Sequence, residues 1–66
     1  MINSIKVQRA IHDLTQDMLA KKIGVSRQTI NSIEKGKYVP STVLALKLSK
    51  VFDSPVNELF QLENED

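Results

Sequence analysis

Hydrogen-bonding side chains are concentrated in the stretch VSRQTINSIEKGKY, which begins at Val25. The spacing of Ile30 and Ile33 predicts a helix over residues 27–35 with one apolar side, so the polar residues occupy its outer side and first turn. Arginine can pair with guanine O6 and N7, glutamine or asparagine with adenine N6 and N7, and hydroxyl groups with bases or phosphates. The candidate DNA-binding residues in this helix and its cap are Ser26, Arg27, Gln28, Thr29, Asn31 and Ser32.

This composition has two interpretations. A helix face that only keeps a protein soluble more often carries Glu and Lys, which favours a binding role for the polar residues. The alternative is that Ser, Thr and Asn are simply tolerated close to the start of a helix, where their side chains can bond to free backbone groups.

The elements that must position these side chains are helical, because apolar residues recur at helical spacing and no segment alternates as a half-buried strand does. Thr15, Ser26 and Ser41 are candidate N-caps, and Gly24 and Gly36 are suited to end helices. Ser54 is a further candidate cap, and Pro55 directly after it predicts the start of a short last helix. The sequence therefore predicts an all-α fold of five helices, at about residues 4–12, 16–23, 27–35, 42–52 and 55–60.

Apolar spacing indicates candidate buried sides for two helices. In the first helix, Val7, Ala10, Ile11 and Leu14 fit the apolar template of a helix face. Ile5 and His12 lie on another face. The pattern does not decide which of these faces is buried. In the fourth helix, the predicted inner stripe is Ala45, Leu48, Ser49 and Phe52.

Only Gly24, Val25 and Ser26 separate the second helix from the third. Such a short link forces the two helices to cross at a steep angle, and this arrangement can place the second helix of a pair in the major groove of DNA. A simple packing corner has the same geometry. The polar outer side of the third helix is the feature that favours DNA recognition.

No catalytic, metal or cofactor site is expected. The chain has no cysteine and His12 is its only histidine, which excludes disulfides and a structural zinc site. It contains no glycine-rich phosphate loop and no nucleophile paired with a base, so an enzyme is not predicted, and no small-molecule ligand is evident. His12 is interpreted as a helix-end residue near the negative end of the helix dipole.

The net charge of +1 conceals an uneven distribution along the chain. Residues 1–50 contain all nine Lys and Arg residues, whereas residues 51–66 contain five acidic residues and no basic one. One end of the molecule could face a polyanion while the other faces away; an ordinary solvated surface with an acidic tail is the alternative. Because no apolar run approaches the roughly 20 residues that span a bilayer, we expect a single cytoplasmic domain over residues 1–66 without a membrane partner.

Two segments, LTQDMLAKKIGVSRQTINSIEKGKYVPS and ALKLSKVFDSPVNELF, resemble the Xre-type, lambda-repressor-like helix-turn-helix family. The resemblance covers about residues 5–60, with Gly24, Ile30, Ile33, Gly36 and Pro40 in register. The chain is most similar to the short stand-alone regulators of this family. The resemblance implies a five-helix bundle, double-stranded DNA as partner, and a prokaryotic or phage source. In the short subgroup the termini add a small antiparallel sheet, which MIN and FQLEN could supply here.

The resemblance also implies roles for individual residues. Gln16 would bind a phosphate at the start of helix two and brace a side chain of the recognition helix. Arg27 and Gln28 would read base edges, and Arg9 and Glu34 would form a structural ion pair, so that Arg9 is not a DNA contact. Further phosphate or secondary base contacts are implied for Thr29, Asn31, Ser32, Lys35, Lys37 and Tyr38.

The apolar residues that the five-helix core does not use suggest self-association. The predicted homodimer interface consists of Val51, Pro55, Val56 and Leu62, with Ile2 from the other terminus. Alternatively, Leu62 and Ile2 fold back on their own core. A twofold dimer would read an inverted repeat, and the simplest mechanism is a repressor that blocks a promoter.

A different class of function is also open. The same fold serves in antitoxins, so an antitoxin-like protein-interaction module acting through the acidic end is the alternative interpretation. The absence of a disordered toxin-wrapping tail after Phe60 speaks against it. RNA binding is disfavoured because Tyr38 is the only exposed aromatic candidate for base stacking.

Overall fold

The computed structural model describes all residues from 1 to 66 and contains five helices with one small antiparallel sheet, which confirms the predicted fold. No helix is both long and apolar enough to cross a membrane. The helices are α1 (Ile5–Ile11), α2 (Gln16–Ile23), α3 (Arg27–Glu34), α4 (Thr42–Phe52) and α5 (Val56–Leu59), and the strands are β1 (Ile2–Asn3) and β2 (Phe60–Gln61).

Three helices begin at the hydroxyl caps that the sequence predicts. The side chain of Thr15 accepts a hydrogen bond from the Met18 backbone N–H at 3.0 Å. The hydroxyls of Ser26 and Ser41 likewise accept from the backbone N–H of the third residue of α3 and of α4, at 3.1 and 3.2 Å. The prediction that Ser54 caps α5 is wrong. The cap position is Pro55, and the Ser54 hydroxyl donates to the Glu58 carboxylate at 3.3 Å.

Four helices end in the same way. Each is followed by a residue with positive φ, namely Asp13, Gly24, Gly36 and Asp53, with φ between 49° and 73°. The next N–H then bonds the carbonyl five residues back; Val25 donates to Ala20 at 3.0 Å, and Leu14, Lys37 and Ser54 do the same. These bonds satisfy carbonyls that a helix end leaves free, and they allow sharp turns between short helices.

The core consists of eleven apolar residues and contains no buried polar residue. α2 and α3 pack against each other more extensively than any other two helices, through buried residues that include Leu19, Ile23, Ile30 and Ile33. The angle between these two helices is therefore held by the Gly24 turn and by a shared apolar contact.

The structure decides which face of the first helix is buried, and it is not the face that fits the helical template. Ile5 is the only buried residue of α1, whereas Val7 and Ile11 are 59% and 65% exposed and Ala10 is also exposed. Leu14 packs against the core from the loop that follows. The inward face carries Arg9, whose ion pair with α3 sets the rotation of α1 in place of the apolar stripe.

The predicted inner stripe of α4 is confirmed at Leu48 and Phe52, but it omitted Leu44. Leu44, Leu48 and Phe52 are buried, while Ala45 and Ser49 are half-buried. The Ser49 hydroxyl donates to the Ser54 carbonyl at 2.6 Å, so this polar residue lies beside the α4–α5 turn.

The sheet joins the two ends of the chain, with Ile2 opposite Gln61 and Asn3 opposite Phe60. The Asn3 amide donates to the Ile33 carbonyl at 2.8 Å, which attaches the sheet to the end of α3. The Met1 ammonium lies 2.8 Å from both Glu63 and Asp66. Hydrogen bonds to Asp66 and Glu63 raise the pKa of the Met1 ammonium, and bonds from the Glu63 backbone and Met1 lower the pKa of Asp66.

The left-handed conformation at Gly24 gives a first prediction. A Cβ at this position would meet no atom within 4 Å, but φ of 73° strains any residue other than glycine. Gly24→Ala should lower the free energy of unfolding by about 1–2 kcal/mol in urea denaturation at fixed protein concentration. Gly24→Asn should cost less, because asparagine tolerates this conformation. Equal stability of wild type and Gly24→Ala would contradict the strain argument.

Candidate nucleic-acid interface

α3 has a buried back and an exposed front. Ile30 and Ile33 are 0% and 1% exposed and fix the helix against the core. Arg27 and Gln28 are exposed, whereas Thr29, Asn31 and Ser32 are half-buried at the edges of the helix. The first turn of α3 contains no acidic residue, so its positive dipole end and Arg27 are not neutralised locally.

Two grooves run beside the front of α3. One has a volume of 490 Å³ and is lined by Gln16, Ser26, Arg27, Gln28 and Asn31. The other has a volume of 340 Å³ and is lined by Ser26, Gln28, Thr29, Ser32, Lys37 and Tyr38. Nine of the ten residues predicted to bind DNA thus lie along one continuous polar surface, with Ser26 and Gln28 in both grooves.

Lys35 is the residue that the structure separates from this surface. It caps the C-terminal end of α3 and lines a different cleft, together with Met1, Gly36 and Glu63 among others. Lys35 lies about two helical turns beyond Gln28, at the end of α3 beside the chain termini.

Gln16 connects the start of α2 to the recognition helix. Its side-chain nitrogen donates to Asn31 Oδ1 at 3.3 Å and to Glu34 Oε1 at 3.2 Å. Both hydrogens of the amide are therefore in use, and the carboxylate fixes which end of the amide is the nitrogen. The bracing role implied by the family resemblance is visible in these bonds. A phosphate would meet the backbone N–H of Gln16, which is free in the first turn of α2.

The ion pair between Arg9 and Glu34 is present and is nearly enclosed. Arg9 Nε lies 2.6 Å from Glu34 Oε2, and Nη2 lies 3.0 Å from Oε1. The side chains are only 15% and 7% exposed. Hydrogen bonding to Glu34 raises the pKa of Arg9 further above its usual value. Because Arg9 also donates to the Leu14 carbonyl at 3.0 Å, its guanidinium is committed to the fold.

A continuous chain of polar contacts follows from these two observations. Glu34 Oε1 accepts from both Arg9 and Gln16, and Gln16 in turn holds Asn31. The sequence did not indicate the Gln16–Glu34 bond, since nothing in the spacing of these two residues distinguishes it. The position of Asn31 on the groove is therefore linked to the charge of Glu34, about one turn further along the same side of α3.

Ser26 and Thr29 are partly engaged with each other. Ser26 Oγ accepts from the Thr29 N–H as the cap of α3, and the two hydroxyl oxygens are 3.0 Å apart. One hydroxyl hydrogen is used within this pair and the other stays free to donate. The pair thus retains one donor for a phosphate or a base at the start of α3.

The residues predicted to form a dimer interface differ in exposure. Val51 and Val56 are half-buried against their own core, whereas Pro55 is exposed and Leu62 is 80% exposed. Ile2 is also exposed, and it pairs in the terminal sheet with Gln61, the residue before Leu62. Other exposed apolar residues lie outside the predicted interface, among them Val39, Val43 and Leu46. Val43 and Leu46 are three residues apart and lie off the buried stripe of Leu44 and Leu48. This spacing could have predicted their exposed positions from the sequence.

Comparison with known families places this geometry in context. The family model described as Helix-turn-helix matches residues 5–59. The chain is 53% identical over 66 residues to an HTH-type transcriptional regulator of Methanocaldococcus jannaschii, and 46% identical over 66 residues to one of Bacillus subtilis; each alignment covers 100% of both proteins.

A solved structure has the same architecture. The crystal structure of the restriction-modification controller protein C.AhdI from Aeromonas hydrophila has a TM-score of 0.76 with this chain. The two are 32% identical, and the match covers 85% of each.

The enclosed ion pair gives a second prediction. Glu34→Gln preserves the shape of the side chain but leaves the Arg9 guanidinium without its counter-charge. We expect a loss of about 3 kcal/mol in the free energy of unfolding, measured by urea denaturation at fixed protein concentration. Asp17→Asn is the matched control, because its ion pair with Lys21 is exposed and should contribute less than about 0.5 kcal/mol. Equal losses for the two variants would contradict a structural role of the buried pair.

Proposed function

This chain belongs to the helix-turn-helix family of DNA-binding transcriptional regulators, and we propose that it is a homodimeric repressor that recognises an inverted-repeat operator. Its site of action would be the nucleoid of a prokaryotic cell or a phage-infected one. The observation that carries the proposal is the two-sided construction of α3, with Ile30 and Ile33 anchored in the core and Arg27 and Gln28 exposed in front.

Base recognition is assigned to the exposed front of α3. Arg27 has the donors to bind guanine O6 and N7, and Gln28 has the donor and acceptor that match adenine N6 and N7. Asn31 enters the same groove in an orientation held by Gln16. A side chain held before binding loses less conformational entropy in the complex, which favours recognition.

Binding to the phosphate backbone is assigned to the flanks of α3. Lys37 and Tyr38 line the 340 Å³ groove on one side, and the N-terminal turn of α2 lies beside the other groove. A lysine ammonium and free helix N–H groups are common phosphate ligands. Lys35 is retained as a phosphate contact at the end of α3, outside the two grooves.

Dimer formation is assigned to the surface around Pro55, Val56 and Leu62, with Val51 and Ile2 beside it. Leu62 is 80% exposed, so in this chain it does not fold back on its own core. A twofold interface buries the same patch on both subunits. Recognition helices about 34 Å apart would then enter successive major grooves on one side of the DNA.

Repression follows from occupancy of a promoter. A dimer bound across an operator excludes RNA polymerase by volume alone, and this mechanism requires no further chemistry. The likeness to a restriction-modification controller protein supports a regulatory role for a domain of this size and architecture.

The assignment of base recognition and phosphate binding to different residues gives a third prediction. Arg27→Ala and Gln28→Ala should each reduce discrimination between a selected operator and random DNA by about 1–3 kcal/mol, because each removes a bidentate base contact. Lys37→Ala should weaken binding to both DNAs similarly and reduce the slope of log K against log salt by about one. Fluorescence anisotropy titrations over a salt series measure both effects. Equal losses on both DNAs for all three variants would remove the base-reading assignment.

The dimer gives a fourth prediction. Leu62→Asp should produce folded monomers in sedimentation equilibrium, because a charge would be buried in the interface while the exposed side chain contributes little to the fold. Val7→Asp, at the 59% exposed position on α1, is the matched control and should remain dimeric. If Leu62→Asp stays dimeric and Leu46→Asp is monomeric, the interface lies on the outer side of α4 instead.

A further inference from the structure

A cleft between α1, α2 and α4 lies outside the proposed DNA-binding surface. It has a volume of 560 Å³ and is lined by His12, Leu14, Lys22, Ile23, Lys47, Lys50 and Val51. None of these residues lines either groove beside α3. The volume lies within the range of roughly 300–1,000 Å³ that is typical of small-molecule sites.

Three lysines converge on this cleft without an acidic partner. Lys22 comes from α2, and Lys47 and Lys50 come from successive turns of α4. No carboxylate lines the cleft, and none of the three lysines forms a salt bridge. Like charges along one cleft repel each other, so an anion bound there would be stabilised.

The helix dipole accounts for only part of this arrangement. Lys22 and Lys50 lie in the last turns of their helices, where a positive charge stabilises the negative dipole end. Lys47 lies in the middle of α4, beyond the reach of the dipole at the helix end. Its presence beside the other two lysines is the observation that points to a ligand.

The floor of the cleft is apolar. Ile23 is 2% exposed, and Leu14 and Val51 pack half-buried against the core. The His12 ring lies with its centroid 5.4 Å from that of Phe52, and Nδ1 is 3.0 Å from the Gln8 carbonyl. Because a carbonyl only accepts, Nδ1 carries the hydrogen, and Nε2 has no partner in the protein.

We propose that this cleft binds a small organic anion with one acidic head group and a compact apolar body. The head group, a carboxylate, phosphate or sulfonate, pairs with Lys22, Lys47 and Lys50. The apolar body covers Leu14, Ile23 and Val51. Since Lys22 and Ile23 directly precede Gly24, the bound anion lies next to the turn that joins α2 and α3. The inference does not depend on the operator, and it requires that Val51, which lies beside the proposed dimer surface, stays accessible in the cleft.

The probe for this site is 8-anilinonaphthalene-1-sulfonate, which has a single anionic head on an aromatic body. We expect it to bind the intact chain, with amide and methyl shifts in NMR spectra centred on His12, Leu14, Ile23 and Val51. N-phenyl-1-naphthylamine, which has the same rings without the sulfonate, should bind at least about tenfold more weakly.

A pair of charge-reversed variants isolates the lysines. Lys47→Glu with Lys50→Glu should weaken sulfonate binding at least about tenfold in fluorescence titrations. Lys6→Glu with Lys21→Glu changes the net charge by the same amount on exposed residues outside the cleft and should leave the affinity unchanged. Circular dichroism spectra should show that both variants are folded.

Three results would overturn the proposal. Equal affinity of both double variants for the sulfonate would show that the lysines do not bind the head group. NMR shifts centred on α3 would place the probe on the DNA-binding surface. Displacement of the probe by a short duplex would show that the lysines contact DNA phosphates, whereas unchanged probe affinity in the presence of DNA supports a separate site.

Discussion

The Glu34 carboxylate joins three helices of this protein, and the position of the recognition surface depends on it. This carboxylate is almost fully enclosed, and it accepts two hydrogen bonds from Arg9 of α1 and one from Gln16 of α2. Glu34 is the last residue of α3. A buried ion pair contributes little net stability compared with apolar packing, but it specifies geometry because either charge is costly without the other. The pair fixes the rotation of α1 and, through Gln16, the orientation of Asn31.

Apolar packing and backbone conformation also hold α3 in position. Ile30 and Ile33 hold α3 from behind, and the left-handed Gly24 turn sets its direction relative to α2. The terminal sheet is attached to the other end of α3 by the bond from Asn3 to the Ile33 carbonyl. α3 is therefore fixed at its start, along its back and at its end, and only its front is available to a partner.

Much of this fold could be predicted because it depends on local chemistry. Hydroxyl caps at Thr15, Ser26 and Ser41 and glycine turns at Gly24 and Gly36 act within one helical turn. The left-handed turns at Asp13 and Asp53 were not predicted, since aspartate adopts this conformation only where the following N–H can bond back to the helix. The buried face of α1 could not be decided from the sequence for a related reason. Val7 and Ile11 fit an apolar stripe, but a contact between residues distant in sequence, Arg9 and Glu34, determines the rotation.

The candidate sites also differ in whether local sequence or contacts between distant residues determine them. Residue type and the helical period were enough to bring Arg27, Gln28 and their neighbours to one surface, whereas Lys35 lines a separate cleft at the end of α3, formed with the chain termini. The cleft with Lys22, Lys47 and Lys50 draws on three helices, so no local pattern could reveal it. The most direct test of the central claim is selection of bound sites from a random duplex pool. The account predicts an enriched inverted repeat with half-sites about one helical turn apart; a bound pool with no enriched sequence would contradict it.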